Sequence, residues 1–116
     1  MSYSQNQLKA IAQSNPKELA RLLTSPGADT HMLTFGAELL GEVNDERIVL
    51  PTLRQLLKHV HALVREGAMM GLSSFYVDRK PPQDIIDRLQ TIANSDPSPA
   101  LRTDAKALLE DYHERA

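Results

Sequence analysis

Three segments of this 116-residue chain share one pattern: an apolar residue, a small residue four positions on, Leu eight on and a bulky apolar residue eleven on. The instances are Met32, Gly36, Leu40 and Val43; Val64, Ala68, Leu72 and Phe75; and Leu101, Ala105, Leu109 and Tyr112. On a helix these offsets fall within about 80° of one another, so each set forms one buried stripe, and the small residue admits a close neighbour. Between them lies a second recurring set: Leu19, Leu22 and Leu23; Leu53, Leu56 and Leu57; Leu89, Ile92 and Ala93. The first kind of stripe recurs after 32 and 37 residues and the second after 34 and 36. Two helix types alternating at such a period predict stacked two-helix units, each too small to bury its apolar face alone.

Helix starts are signalled by Asn15 before Pro16 with Glu18 following, by Asn44 and Asp45 before Glu46, by Pro81 and Pro82, and by Asp96 to Ser98 before Pro99. Pro, Gly and Asn clusters supply the stops. The expected helices are Ser4 to Gln13, Pro16 to Thr24, Thr30 to Val43, Glu46 to His59, Ala62 to Phe75, Pro82 to Asn94 and Pro99 to His113. The fold class is therefore all-α. A single repeat domain over 1–116 is expected, with units at about 16–43, 46–75 and 82–113 and a capping helix over 1–15.

Several of these residues carry a family resemblance. Val64-Arg65 with Ala68, Leu72 and Phe75 is similar to the second helix of a HEAT repeat, as is Asp96-Pro97 leading into Leu101-Arg102, Ala105 and Leu109. Pro51 with Leu53, Leu56 and Leu57 resembles a HEAT first helix, and Leu40-Gly41 the Leu-Gly that closes a second helix. The short units resemble the bacterial variety found in phycobilisome lyases. The resemblance implies a right-handed α-solenoid of about three HEAT-like hairpins. Leu33 stands at the arginine position in the first unit and the second has no Asp in its turn, so an Asp–Arg ladder is not uniform along the units.

The chemistry open to the chain is narrow. It has no Cys, which removes disulfides, thiolate zinc sites, iron–sulfur clusters and thiol nucleophiles. None of its five glycines forms a phosphate-cradling loop. Ser73 and Ser74 lack the strand-turn-helix elbow of a nucleophile, and His31, His59, His61 and His113 include no pair spaced to share a metal on one helix face. No enzyme activity, metal or cofactor is expected. The apolar runs are too short for a membrane span and Met1 to Asn15 is too polar for a signal peptide, so no membrane partner and a cytoplasmic location are expected. The polar residues near both ends favour a monomer over a dimer.

Projection of the second helices places Thr34, Glu38, Gly41, Glu42 and Asp45, then Glu66, Met70, Ser73, Ser74 and Val77, then Thr103, Ala107, Glu110, Asp111 and Glu114 opposite the stripe. Seven of these fifteen are acidic and none is basic, so the face is either solubilising or a surface for a cation. The expected function is a non-catalytic protein-interaction module that offers this face to a basic partner segment, with Glu38, Glu42, Asp45, Glu66, Met70 and Glu110 as contacts. Arg65 and Arg102 share one repeat position and are expected to bond turn carboxylates or carbonyls between units, Arg102 with Asp96 near; anion capture is the alternative. Two other functions stay open. One is nucleic-acid binding by a HEAT-like protein, which the base-free acidic face argues against, although Arg47, Arg54, Lys58, Arg79, Lys80 and Arg88 lie elsewhere. The other, implied by the resemblance, is a bilin lyase-like accessory role.

Overall fold

The computed structural model describes residues 3–115. The expected opening cap over 1–15 begins with Met1 and Ser2, which lie outside them. Among the described residues all regular structure is helical: α1 (Gln5–Ser14), α2 (Pro16–Leu23), α3 (Thr30–Leu40), α4 (Glu46–Leu56), α5 (Ala62–Phe75), α6 (Gln83–Ser95) and α7 (Pro99–Glu114). No helix among these residues is long and apolar enough to cross a membrane.

Side-chain oxygens set the helix starts by taking backbone N–H groups that the first turn leaves without partners. Ser4 and Gln7 form a reciprocal capping box on α1, and Asn15 caps α2 with Pro16 at its first position. Asp29 accepts from the Met32 N–H at 2.8 Å, Asp45 from Arg47 at 3.0 Å and Ser98 from Leu101 at 3.3 Å. Two helices stop three residues before their expected ends. Beyond Leu40 the amides of Gly41, Glu42 and Val43 turn to carbonyls three residues back, and Lys58 and His59 do the same beyond Leu56. These are tight terminal turns that satisfy orphan carbonyls without extending the α-helix.

The helices form two compact units, Met1–Phe75 and Tyr76–Ala116. The second recurring set lies inward throughout: Leu19, Leu22, Leu23, Leu53, Leu56 and Leu57 are buried in the first unit, and Leu89, Ile92 and Ala93 in the second. The other set is buried except at Val43, Phe75 and Leu109, which are half-buried. In the first unit α3 makes its most extensive contact with α5, while α2 packs on both α3 and α4. Glycines permit the α3–α5 approach. A Cβ on Gly67 would lie 2.5 Å from the Thr34 carbonyl oxygen, one on Gly71 would strike the Ala37 carbonyl oxygen, and one on Gly41 would lie 2.8 Å from the Ser74 Cβ. The paired numbers rise together, 34 with 67, 37 with 71 and 41 with 74, so α3 and α5 run parallel at an offset of 33 or 34 residues. That offset is close to the 32 residues that separate the stripes of these two helices in the sequence.

Gly41 corrects one sequence expectation. Placed on the open face by projection, it is buried, because the tight turn after Leu40 carries the backbone against α5. Gly36 admits the Leu23 side chain of α2, whereas the backbone approach between α5 and the α3 segment is made at Gly41, Gly67 and Gly71.

The second unit is the α6–α7 hairpin. Ile85, Leu89, Ile92 and Ala93 of α6 are buried, as are Leu101, Ala105 and Tyr112 of α7. Burial pushes the Tyr112 phenol up to about 12, which keeps it neutral. Arg115 closes this unit by donating to the Tyr76 carbonyl at 2.5 Å.

Candidate functional site

Within the first unit, α3 and α5 display a shallow cleft on the side away from their buried stripes. Phe35, Glu38 and Leu39 recur at three- and four-residue steps on α3, and Met70, Ser73 and Ser74 do so on α5, so each set occupies one helix face, and Glu42 joins the first from the tight turn beyond Leu40. The cleft holds about 400 Å³. A second cleft of about 620 Å³, between Ala12, Gln13 and Pro16 on one side and Val43 and Asn44 on the other, shares Lys9, Leu39 and Glu42 with it. The two clefts adjoin at those three residues. Leu39 is buried and half-buried Phe35 lies beside it, while Met70 is 49% exposed.

The charges are arranged unevenly. Partial burial, and then the neighbouring Glu66 carboxylate, hold the Glu38 carboxyl above the ordinary glutamate value of 4.5. Both effects penalise the ionised form, which is the form a cation would relieve. Lys9 from α1 places its ammonium 6.0 Å from the centre of the Phe35 ring, at the outer reach of a cation–π contact.

Neutralising Glu38 isolates this penalty. A carboxyl whose folded pKa is raised contributes stability that is complete below the ordinary 4.5 and is lost as pH rises through the folded value. Glu38→Gln is therefore expected to melt slightly higher than the wild type at pH 7, with the gap closing toward pH 4.5. Thermal unfolding followed by circular dichroism at the two pH values measures it; a variant less stable at pH 7 would contradict the assigned electrostatics.

The residues singled out by sequence reach different places. Glu38, Glu42 and Met70 line the groove, and Glu66 is close enough to act on Glu38. Asp45 is instead the α4 cap: its carboxylate accepts from the Arg47 backbone and side chain, and the side-chain bond chiefly lowers its pKa. Glu110 belongs to the second unit, where it borders a cleft of about 390 Å³ with Ile86, Leu109 and Tyr112. Ser73 and Ser74 come near the end of α5 and His59 and His61 before its start, so Ser73 is about 18 Å along the helix from His61. No nucleophile–base pair forms there.

The two repeat-position arginines behave alike. Arg65, 8% exposed, donates from Nη1 to the carbonyls of His59 at 2.8 Å and Val60 at 2.9 Å. Arg102 donates from Nη1 to the Asp96 carbonyl at 2.6 Å, again six residues back. Asp96, 6% exposed, accepts from the Ser98 N–H at 2.9 Å. Each arginine thus bonds the turn of its own hairpin.

No protein-family model, curated protein or solved structure matches this chain. Sequence reasoning missed Lys9, Phe35, Leu39 and the α1–α2 wall. Phe35 did offer a signal, since it precedes Glu38 by three residues on the same helix and shares its face.

Proposed function

We propose that the chain is a non-catalytic protein-interaction module that holds a basic, partly apolar segment of a partner in the α3–α5 groove. The observation that carries this reading is Glu38, a carboxylate disfavoured by burial and by Glu66 above a floor of Phe35, Leu39 and Met70. A guanidinium or ammonium arriving there removes the like-charge penalty, and an adjacent aliphatic side chain covers the exposed Met70. The parallel register of α3 and α5 supports the wider proposal of a HEAT-like right-handed solenoid, because neighbouring hairpins related by translation present equivalent helices on one side. Such a scaffold loses little conformational freedom on binding.

The test uses a fluorescein-labelled peptide of alternating Arg and Leu. Its anisotropy titration against the wild type is compared with that of the triple variant Glu38→Lys, Glu42→Lys, Glu66→Lys. Affinity is expected to fall by about a hundredfold, the loss of two or three close charge contacts, and to weaken for the wild type as salt is added. Amide shifts on binding should centre on Phe35, Leu39 and Met70. Unchanged affinity in the triple variant, or shifts confined to other helices, would remove the groove from consideration.

A further inference from the structure

We propose that the basic segment taken by this groove is the α4–α5 turn of a second copy of the chain, which makes the contact a head-to-tail one. The inference rests on the groove reading above and names its occupant. Residues 47–65 contain no Asp or Glu, although the whole chain has a net charge of -2: of their four cations Lys58 stands in the turn and Arg54 one helical turn before it, while Arg47 bonds Asp45 at the start of α4 and Arg65 lies buried beneath the turn. The rest of the chain is therefore left with nine Lys and Arg against 15 Asp and Glu. The acid-free stretch ends in an apolar projection: Val60 is 93% exposed and Leu63 is 52% exposed. Behind it Arg54, Lys58 and His59 border a cleft with Pro51.

This projection is held in shape. The buried Arg65 guanidinium fixes the carbonyls of His59 and Val60, the His59 Nδ1 accepts from the His61 N–H at 3.0 Å, and the His61 Nδ1 accepts from Leu63 at 3.3 Å. A turn fixed from beneath offers its apolar side chain with little ordering left to do on contact. The groove is its complement in sign and shape, being concave, floored by Phe35, Leu39 and Met70, and rimmed by Glu38 and Glu42. Val60 would cover the floor while Lys58 takes the place of Lys9 beside the carboxylates.

One molecule cannot make this contact with itself. The turn precedes α5 and the groove uses the end of that helix, so Leu63 and Ser74 stand about 16 Å apart along a rigid rod. The contact joins the turn of one copy to the groove of another, and made once, head to tail, it leaves one turn and one groove free at the ends of the dimer.

Sedimentation at low salt provides the test. The wild-type weight-average mass should rise above 12.9 kDa with concentration and fall back when salt screens the charges. A turn variant, Lys58→Ser with Val60→Ser, and a groove variant, Glu38→Gln with Glu42→Gln, should each stay monomeric. Mixed in equal amounts they should form a 1:1 complex and nothing larger, because each pair retains one intact turn and one intact groove. All four positions are exposed or half-buried, so both variants are expected to keep wild-type circular dichroism. A wild type that stays monomeric, or a mixture that does not pair, overturns the proposal. If the Arg-Leu peptide still binds the groove, only self-association falls; if it does not, the groove reading falls with it. Retention of the wild type on duplex DNA that the turn variant loses would also overturn the proposal, in favour of a phosphate partner for the turn.

Discussion

Gly71→Val is expected to separate α3 from α5 and cost the first unit about 3 kcal/mol or more, which places it at the upper end of overpacking substitutions. The Cβ would meet the Ala37 carbonyl oxygen, with the Ala37 carbonyl carbon at 3.3 Å and a Leu53 methyl at 3.2 Å. A flexible side chain could rotate away, but the obstacle here is backbone in the middle of a helix. Relief therefore requires the two helices to move apart, and that opens the α3–α5 interface along its length. In a chain of this size such a loss should lower the melting temperature by about 10 °C or more. Gly71→Ala should show most of the effect, since its single carbon already occupies the forbidden space. Gly36→Ala should cost less, because its obstruction is the Leu23 side chain, with a methyl at 2.5 Å that can shift. Gly27→Ala is the control: nothing lies within 4 Å of its Cβ and no glycine has positive φ, so the change should be neutral or slightly stabilising. Thermal unfolding of the four variants checks the ranking. A Gly71→Val protein as stable as Gly27→Ala would mean that α3 and α5 are not in backbone contact.

This ranking also shows what the sequence left unread. Helix identity was legible because capping residues and apolar periodicity act locally: Asn15-Pro16, Asp45-Glu46 and Ser98-Pro99 each mark a boundary by chemistry within four residues. The buried leucines were equally plain, since one face of each helix is apolar. Packing partners were not. Gly36, Gly67 and Gly71 look alike in sequence, yet one meets a side chain and the others meet backbone. That difference depends on the crossing of α3 with α5, and no single-helix projection contains it. The spacing of Gly67 and Gly71 at four residues was the available hint, because two missing side chains on one face leave a trough for a neighbour.

The groove was half legible for the same reason. Glu38, Glu42 and Met70 follow from projection, whereas Lys9 reaches the site from α1 across a fold that periodicity does not orient. Asp45 shows a competition between two uses of one residue. It satisfies the projection onto the acidic face, but a carboxylate at a helix start gains a backbone N–H and the favourable end of the helix dipole, and here also an arginine. The local cap decides its orientation.

Arg65→Met is expected to cost about 2–4 kcal/mol, because it removes a buried guanidinium that two turn carbonyls share. The aliphatic stem is conserved in the substitution, so the loss reports the guanidinium and not the packing around it. Arg65→Lys should recover only part of it, since an ammonium lacks the planar fork that spans the His59 and Val60 carbonyls. Arg102→Met makes the corresponding change in the α6–α7 hairpin and should cost about 1–2 kcal/mol, because Arg102 is half-buried and solvent can reach the carbonyl it leaves. Urea unfolding gives both values, and hydrogen exchange locates them: the amides of Val64 and Arg65, which bond back to the His61 carbonyl, should lose protection in the first variant alone. The same substitution should weaken association between copies several-fold, since it frees the turn that carries Val60 and so adds an ordering cost to every contact. Should Arg65→Met prove as mild as Arg102→Met and leave those amides protected, the buried guanidinium would not be what shapes the turn, and the rigidity attributed to the Val60 projection would need another source.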